Sequence, residues 1–296
     1  MSDGERAGRE ITGHPWLLVG ATGVIGLALR RHLAGAGAQV LATSRDARPG
    51  FITYDLRDMA PTFPHAGANG VAVILAGTTN QADCERNPQQ ARNVNVNGVL
   101  RLAESLSGSG WRVIHISTDA VFPEFAAKPA IDPDGPPRSE YGRQKRQAEM
   151  GLLKRNPSST VLRLSKVVWP SATPWVSWRN ALIHSEQVSA FADYFISPIT
   201  VAAAVQAVIA VGSQASGGIW QAGGSTCLSY YDFLCRVSGH HGWGGTIVSA
   251  SRGPGIPEGF APVTMSHTRL TTATGWRPPP LEAVIASFEW TSGAPR

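Results

Sequence analysis

The sequence predicts an α/β protein, a doubly wound parallel sheet joined to a smaller carboxyl-terminal lobe, and three observations predict it. A short apolar run, Trp16-Leu17-Leu18-Val19, stops at a glycine and passes at once into a helical pattern. Further apolar runs follow at a spacing that suits right-handed βαβ crossovers. The chain has 296 residues, 43% hydrophobic and 16% charged, which is enough to bury one large core and keep a compact form.

The first strand feeds Gly20-Ala21-Thr22-Gly23-Val24-Ile25-Gly26, and Leu27 to Leu33 continues with apolar positions at helical spacing. Glycine supplies the backbone freedom of the turn and a bare backbone that can approach a pyrophosphate at the helix N-terminus. In a chain with 32 glycines the repeat gains weight from its context, a strand before and a helix after. Gln39 to Thr43 reads as the second strand, Phe51 to Tyr54 as the third, Val71 to Leu75 as the fourth and Trp111 to Ile116 as the fifth. Gln89 to Leu106 is the main intervening helix. The fifth strand ends in Ser117-Thr118-Asp119, and ligands of such sheets lie at the carboxyl ends of strands, so Thr118 shares a crevice with the glycine turn. Phe122 to Arg138, Pro170 to Pro174 and Gly253 to Pro257 read as loops, the first over that crevice, and Gly218 to Gln221 as a strand returning to the sheet.

Tyr141 and Lys145 stand one helical turn apart, in a chain whose only lysines are Lys128, Lys145, Lys154 and Lys166. At that spacing they share a helix face, where an ammonium lowers the pKa of a phenol and makes it a usable proton donor or acceptor. Taken alone, the pair reads as two solvated side chains. Its company is the glycine turn.

Together these stretches resemble the extended short-chain dehydrogenase/reductase superfamily, and within it the dTDP-4-dehydrorhamnose reductase-like branch. The likeness runs through Gly20 to Gly26, Asp55-Leu56, Ala76-Gly77-Thr78, Cys84 to Pro88, Val94-Asn95-Val96, Ser117 to Phe122, Tyr141 to Lys145, Val161 to Ser165 and Ser197-Pro198-Ile199. It covers about residues 15 to 235. The resemblance implies a Rossmann-like domain with Tyr141 as general acid/base, Lys145 as its partner and ribose ligand, Thr118 orienting the reacting oxygen and Asn95 grouped with them. It also implies a cofactor held by Gly20, Thr22, Gly23, Val24, Ile25, Gly26, Asp55, Leu56, Ala76, Gly77, Thr78, Tyr141 and Lys145. At the end of the second strand Ser44-Arg45 replaces the acidic residue usual for NAD, so NADP(H) is favoured over NAD(H).

Ala120 stands where the branch usually has tyrosine, and Ser165-Lys166-Val167-Val168-Trp169-Pro170 where it has an aromatic segment, so Lys166, Thr118 and Pro198 are the substrate-side candidates and the sugar stays open. Some relatives hold an interface metal through a glutamate at the position of Ala28; no metal is expected. Trp169, Trp175, Trp178 and Phe191 read mainly as core, with a sugar-stacking wall as the alternative. The net charge of +5 comes from 26 basic residues, of which all but four are scattered arginines, so no nucleic-acid partner is expected. Cys84, Cys227 and Cys235 lack metal or redox spacing and fit a reducing cytoplasm; Met1 to Ile11 has no signal-peptide core, and no segment is long enough to span a membrane. The expected division is residues 13–165 plus about 199–225 for the dinucleotide and about 166–198 plus 226–296 for the substrate, with a homodimer allowed. The expected activity is NADP(H)-dependent reduction of a nucleotide-linked 4-keto-deoxysugar or a related small carbonyl compound. An epimerase or dehydratase with retained NAD, and a non-catalytic nucleotide-binding regulatory subunit, are the alternatives.

Overall fold

The computed structural model describes residues 12–67, 70–123, 131, 135–214, 216–252 and 264–288. Its elements begin with β1 (Trp16–Val19), α1 (Val24–Gly35), β2 (Val40–Ser44), β3 (Ile52–Thr53) and β4 (Val71–Ile74). Helices α2 (Gln81–Arg86) and α3 (Pro88–Arg92) lead through a π-helical stretch, Asn93–Gly98, into α4 (Val99–Gly108). Next come β5 (Arg112–Thr118), a 3-10 turn at Asp119–Val121, α5 (Glu140–Arg155), β6 (Thr160–Leu164), β7 (Val167–Val168) and α6 (Trp175–Ile183). The chain continues with β8 (Gln187–Phe191), β9 (Phe195–Ile196), β10 (Ile199–Thr200), α7 (Val201–Gly212) and β11 (Gly218–Ala222). Last are β12 (Leu228–Ser229), α8 (Tyr230–His241), β13 (Thr246–Ala250), α9 (Thr268–Thr274) and α10 (Leu281–Ala286).

Seven strands form one sheet in the order β11-β6-β5-β4-β1-β2-β3, and every pairing is parallel. The order reverses between β1 and β4, which opens a crevice at their carboxyl ends. Strand side chains alternate, so Trp16 and Leu18 enter one core layer with Leu29, Leu33 and Val208, while Leu17 and Val19 enter the other with Leu102, Leu106 and Leu152. Each such buried leucine contributes about 1.5–3 kcal/mol relative to exposure, and the sheet is thereby held from both faces. A third cluster, built on Trp175, Tyr230, Phe233 and Phe288, contains no residue of that sheet. The ladders β7–β10, β8–β13 and β9–β12 accompany it.

The α/β class, the five expected strands and the returning strand at Gly218–Ala222 agree with the sequence reading. The third strand is shorter than expected, and the fifth extends to Thr118. Between Gln89 and Leu106 the backbone is helical but widens into the π stretch. There Asn95 turns toward Thr78, and Gly98 lies so close to the Leu56 carbonyl that a Cβ would collide with it. Met1 to Ile11, the loop at 253–257 and much of the loop between Phe122 and Arg138 fall outside the described residues. No helix among the described residues is long and apolar enough to cross a membrane.

Candidate active site

The glycine turn is shaped by contact with the next strand. Gly20 has φ +82°, and a Cβ there would lie 2.7 Å from the backbone of Ala76 at the exit of β4. Its N–H donates to Thr43 Oγ1 at 3.0 Å, and a Cβ on Gly26 would lie 2.7 Å from Ala21. Gly23 begins α1 with no side-chain cap and no acid in the first turn, so the helix presents bare N–H groups to a ligand. Uncapped N–H groups at a helix start suit an anionic group.

Helix α5 opens with Ser139, whose Oγ accepts from Gly142 N at 3.1 Å. That cap fixes the first turn, and a Cβ on Gly142 would collide with the Ala120 carbonyl, so α5 presses directly on the turn after β5. Tyr141, Lys145 and Glu149 then lie at i, i+4 and i+8 on the face toward β5. Thr118 Oγ1 donates to Asp119 Oδ1 at 3.0 Å and accepts from Ala120 N at 3.1 Å. At the far end of the row, Glu149 is bound by Arg163 Nη2 at 2.7 Å and by the Ser117 hydroxyl, all of them buried.

A cavity of about 900 Å³ joins the two features. Of the residues proposed from sequence, its wall includes Gly20, Gly23, Val24, Ile25, Gly26, Ala76, Gly77, Asn95, Thr118, Tyr141, Lys145 and Lys166. Thr22, Ser44, Arg45, Asp55, Leu56, Thr78 and Pro198 stand off it. Ser44 is buried and Arg45 exposed, with Asp46 3.7 Å from its guanidinium. Arg57 pairs with Asp55 at 2.7 Å, and its hydrogen bonds hold that carboxyl below its ordinary range. Leu56 is core, and its carbonyl accepts from Arg101 at 2.8 Å. Asn95 has both amide protons engaged, with the Thr78 carbonyl and Gln144 Oε1 at 3.0 Å each, while its oxygen accepts from Thr78 N at 2.8 Å. It braces the β4 exit against α5.

Lys145 lines the cavity beside Tyr141 and also reaches the strand behind it. Its Nζ turns into β5, donating to the Ile116 carbonyl and lying 3.0 Å from His115 Nε2. The Tyr141 phenol is raised above its ordinary range, first by burial and then by Asp119 and Cys84, with a hydrogen bond to Thr118 working the other way. Burial pushes Lys145 down to about 8, against the pull of Glu149.

Several wall residues escaped the sequence reading. Asp119, half-buried with its carboxyl raised by burial, sat unassigned beside Thr118 in the quoted motif. Tyr194 and Arg252 come from distant segments, the guanidinium 4.2 Å above the ring. Of the four aromatics, Trp169 lines the cavity, Trp175 and Trp178 join the third cluster and Phe191 is exposed.

The family model for the RmlD substrate binding domain matches residues 15–272. Over 233 residues the chain is 31% identical to a probable dTDP-4,6-dihydroxy-2-methyloxan-3-one 4-ketoreductase of Streptomyces antibioticus, covering 75% of each chain. It is 28% identical over 232 residues to a dTDP-4-dehydrorhamnose reductase of Aggregatibacter actinomycetemcomitans, with 75% of this chain and 77% of the other covered. The fold superposes with TM-score 0.75 at 17% identity on a dTDP-4-dehydrorhamnose reductase of Bacillus anthracis solved in complex with NADP, across 93% of this chain and 98% of that one. The chain therefore belongs to the RmlD substrate binding domain family, in the dTDP-4-dehydrorhamnose reductase-like branch of the extended short-chain dehydrogenases and reductases.

Proposed function

We propose that the chain is an NADP(H)-dependent reductase of a nucleotide-linked 4-keto-deoxysugar, working in the cytoplasm. One observation carries the reading: a glycine turn with uncapped helix N–H groups and the residues Thr118, Tyr141 and Lys145 line one cavity. NADP(H), when bound, supplies a hydride to the substrate carbonyl carbon. Gly20 to Gly26 would hold the pyrophosphate, Ala76, Gly77 and Thr78 the adjoining ribose, Asp55 and Leu56 the adenine, and Ser44 with Arg45 the 2′-phosphate.

Negative charge then grows on the carbonyl oxygen. Tyr141 meets it as the acid, its phenol protonated at neutral pH and able to give its proton to the growing alkoxide. The Thr118 hydroxyl, fixed by Asp119 and Ala120 N, orients the oxygen. Lys145 holds the cofactor ribose, and Lys166 and Pro198 serve the substrate side. In this division residues 13–165 plus about 199–225 carry the cofactor, and about 166–198 plus 226–296 the substrate. Light scattering reads the homodimer expectation directly. The test is loss of NADPH absorbance with a panel of nucleotide-linked keto sugars. Protein that binds NADPH and oxidises it with none of them is not this reductase.

A further inference from the structure

His115 takes no part in the reaction above, yet it is fully buried on β5 with Nε2 3.0 Å from Lys145 Nζ. Its other nitrogen, Nδ1, has no hydrogen-bond partner among the described residues. Phe or Leu would fill this space without leaving a polar atom unpaired, so packing alone does not account for an imidazole. Its polar contact is with Lys145.

An ammonium has three protons to give. One goes to the Ile116 carbonyl, a second points at His115, and the third is left for the cavity that Lys145 lines. This requires a neutral ring with bare Nε2, a state that burial and the neighbouring positive charge both favour. The groups facing Lys145 are Tyr141 and Glu149 on its own helix and His115 on β5, with Asp119 and Cys84 acting on Tyr141. Glu149 is already claimed by Arg163 on β6, at 2.7 and 3.1 Å.

We propose that His115 is a positioning residue for Lys145: its neutral Nε2 accepts from the ammonium, which keeps the buried lysine charged and aimed at the cofactor ribose. The aim toward ribose rests on the reductase reading; the hydrogen bond does not.

With four lysines in the chain, carbon-13-labelled lysine gives a spectrum simple enough to follow, and Lys145→Met assigns the relevant signal. In His115→Phe the Lys145 midpoint should fall by about one pH unit or more, as loss of a hydrogen bond to a charged group implies. NADPH affinity at pH 8 should then drop about fivefold with the charged fraction of the lysine. His115→Gln, which places an amide oxygen at similar reach, should restore both. An unchanged midpoint in folded His115→Phe overturns the proposal. Should that variant not fold, nitrogen-15 histidine spectra of the unmodified protein decide: a proton on Nδ1 supports it, and a proton on Nε2 overturns it. Absence of turnover with keto sugars would defeat the reductase reading and leave these titrations standing.

Discussion

Tyr141→Phe keeps the ring, the helix face and the packing, and removes the proton the proposed acid gives up. Turnover should fall by about two orders of magnitude or more, with NADPH affinity retained. Wild-type turnover would take Tyr141 out of the mechanism. Arg45 is tested by cofactor choice: if it pairs with the 2′-phosphate, a charge-assisted bond of about 1.5–3 kcal/mol is made to NADPH alone. Arg45→Ala should then weaken NADPH binding by about ten- to a hundredfold and leave NADH nearly unaffected. Equal affinities in the unmodified protein would refute the assignment and favour an NAD-retaining enzyme. Tyr141 and Thr118 were legible as candidates because each sits in a short motif whose spacing has a chemical meaning. The partner of Lys145 was not, because it depends on which face of β5 meets α5. His115 stands between Ile114 and Ile116 and reads in sequence as one more strand residue.

Helix α5 owes its closeness to the Thr118 turn to Gly142. Propensity alone says that alanine in a helix is better than glycine by about 1 kcal/mol. Here the added methyl would collide with the Ala120 carbonyl and lie 3.0 Å from Pro137, so the sign should reverse. Gly142→Ala is expected to cost about 1–3 kcal/mol in urea unfolding, and to lower turnover as Tyr141 retreats. A more stable variant with full turnover would show that the close approach is dispensable. Strand, turn and helix around Gly20 were legible since an apolar run, a glycine and a helical period coincide there. The π stretch at Asn93–Gly98 was hidden because its Val94 and Val96 run into Val99 of α4 and continue the apolar pattern of the flanking helices.

Stability should carry the imprint of the buried pair. The folded pKa of His115 lies well below 6.5, so below about pH 6.5 the unfolded chain takes up a proton that the folded chain refuses. Folding stability is therefore lost as pH falls through this window, by up to about 1.4 kcal/mol per pH unit. Lys145 acts with the same sign higher up, losing stability as pH falls from 10.5 through about 8. Urea unfolding at pH 6.5 and 5.5 should thus show a steeper loss in the wild type than in His115→Gln, and parallel curves would count against a neutral buried imidazole. Sequence reading reached the large sheet but left the outer part as a remainder, because β7, β9, β10 and β12 are two residues each and carry no periodicity to read. The cavity wall has one more consequence. It begins at Gly20 and is still being built at Met265, so nearly the whole chain must be threaded before the pocket closes. A ribosome-bound nascent chain can complete its glycine turn early but should have no finished pocket until the segment carrying Met265 clears the exit tunnel. Split at the 165/166 junction, the two halves should recover NADPH-dependent activity only when mixed, which makes the enzyme a natural scaffold for a fragment-complementation reporter.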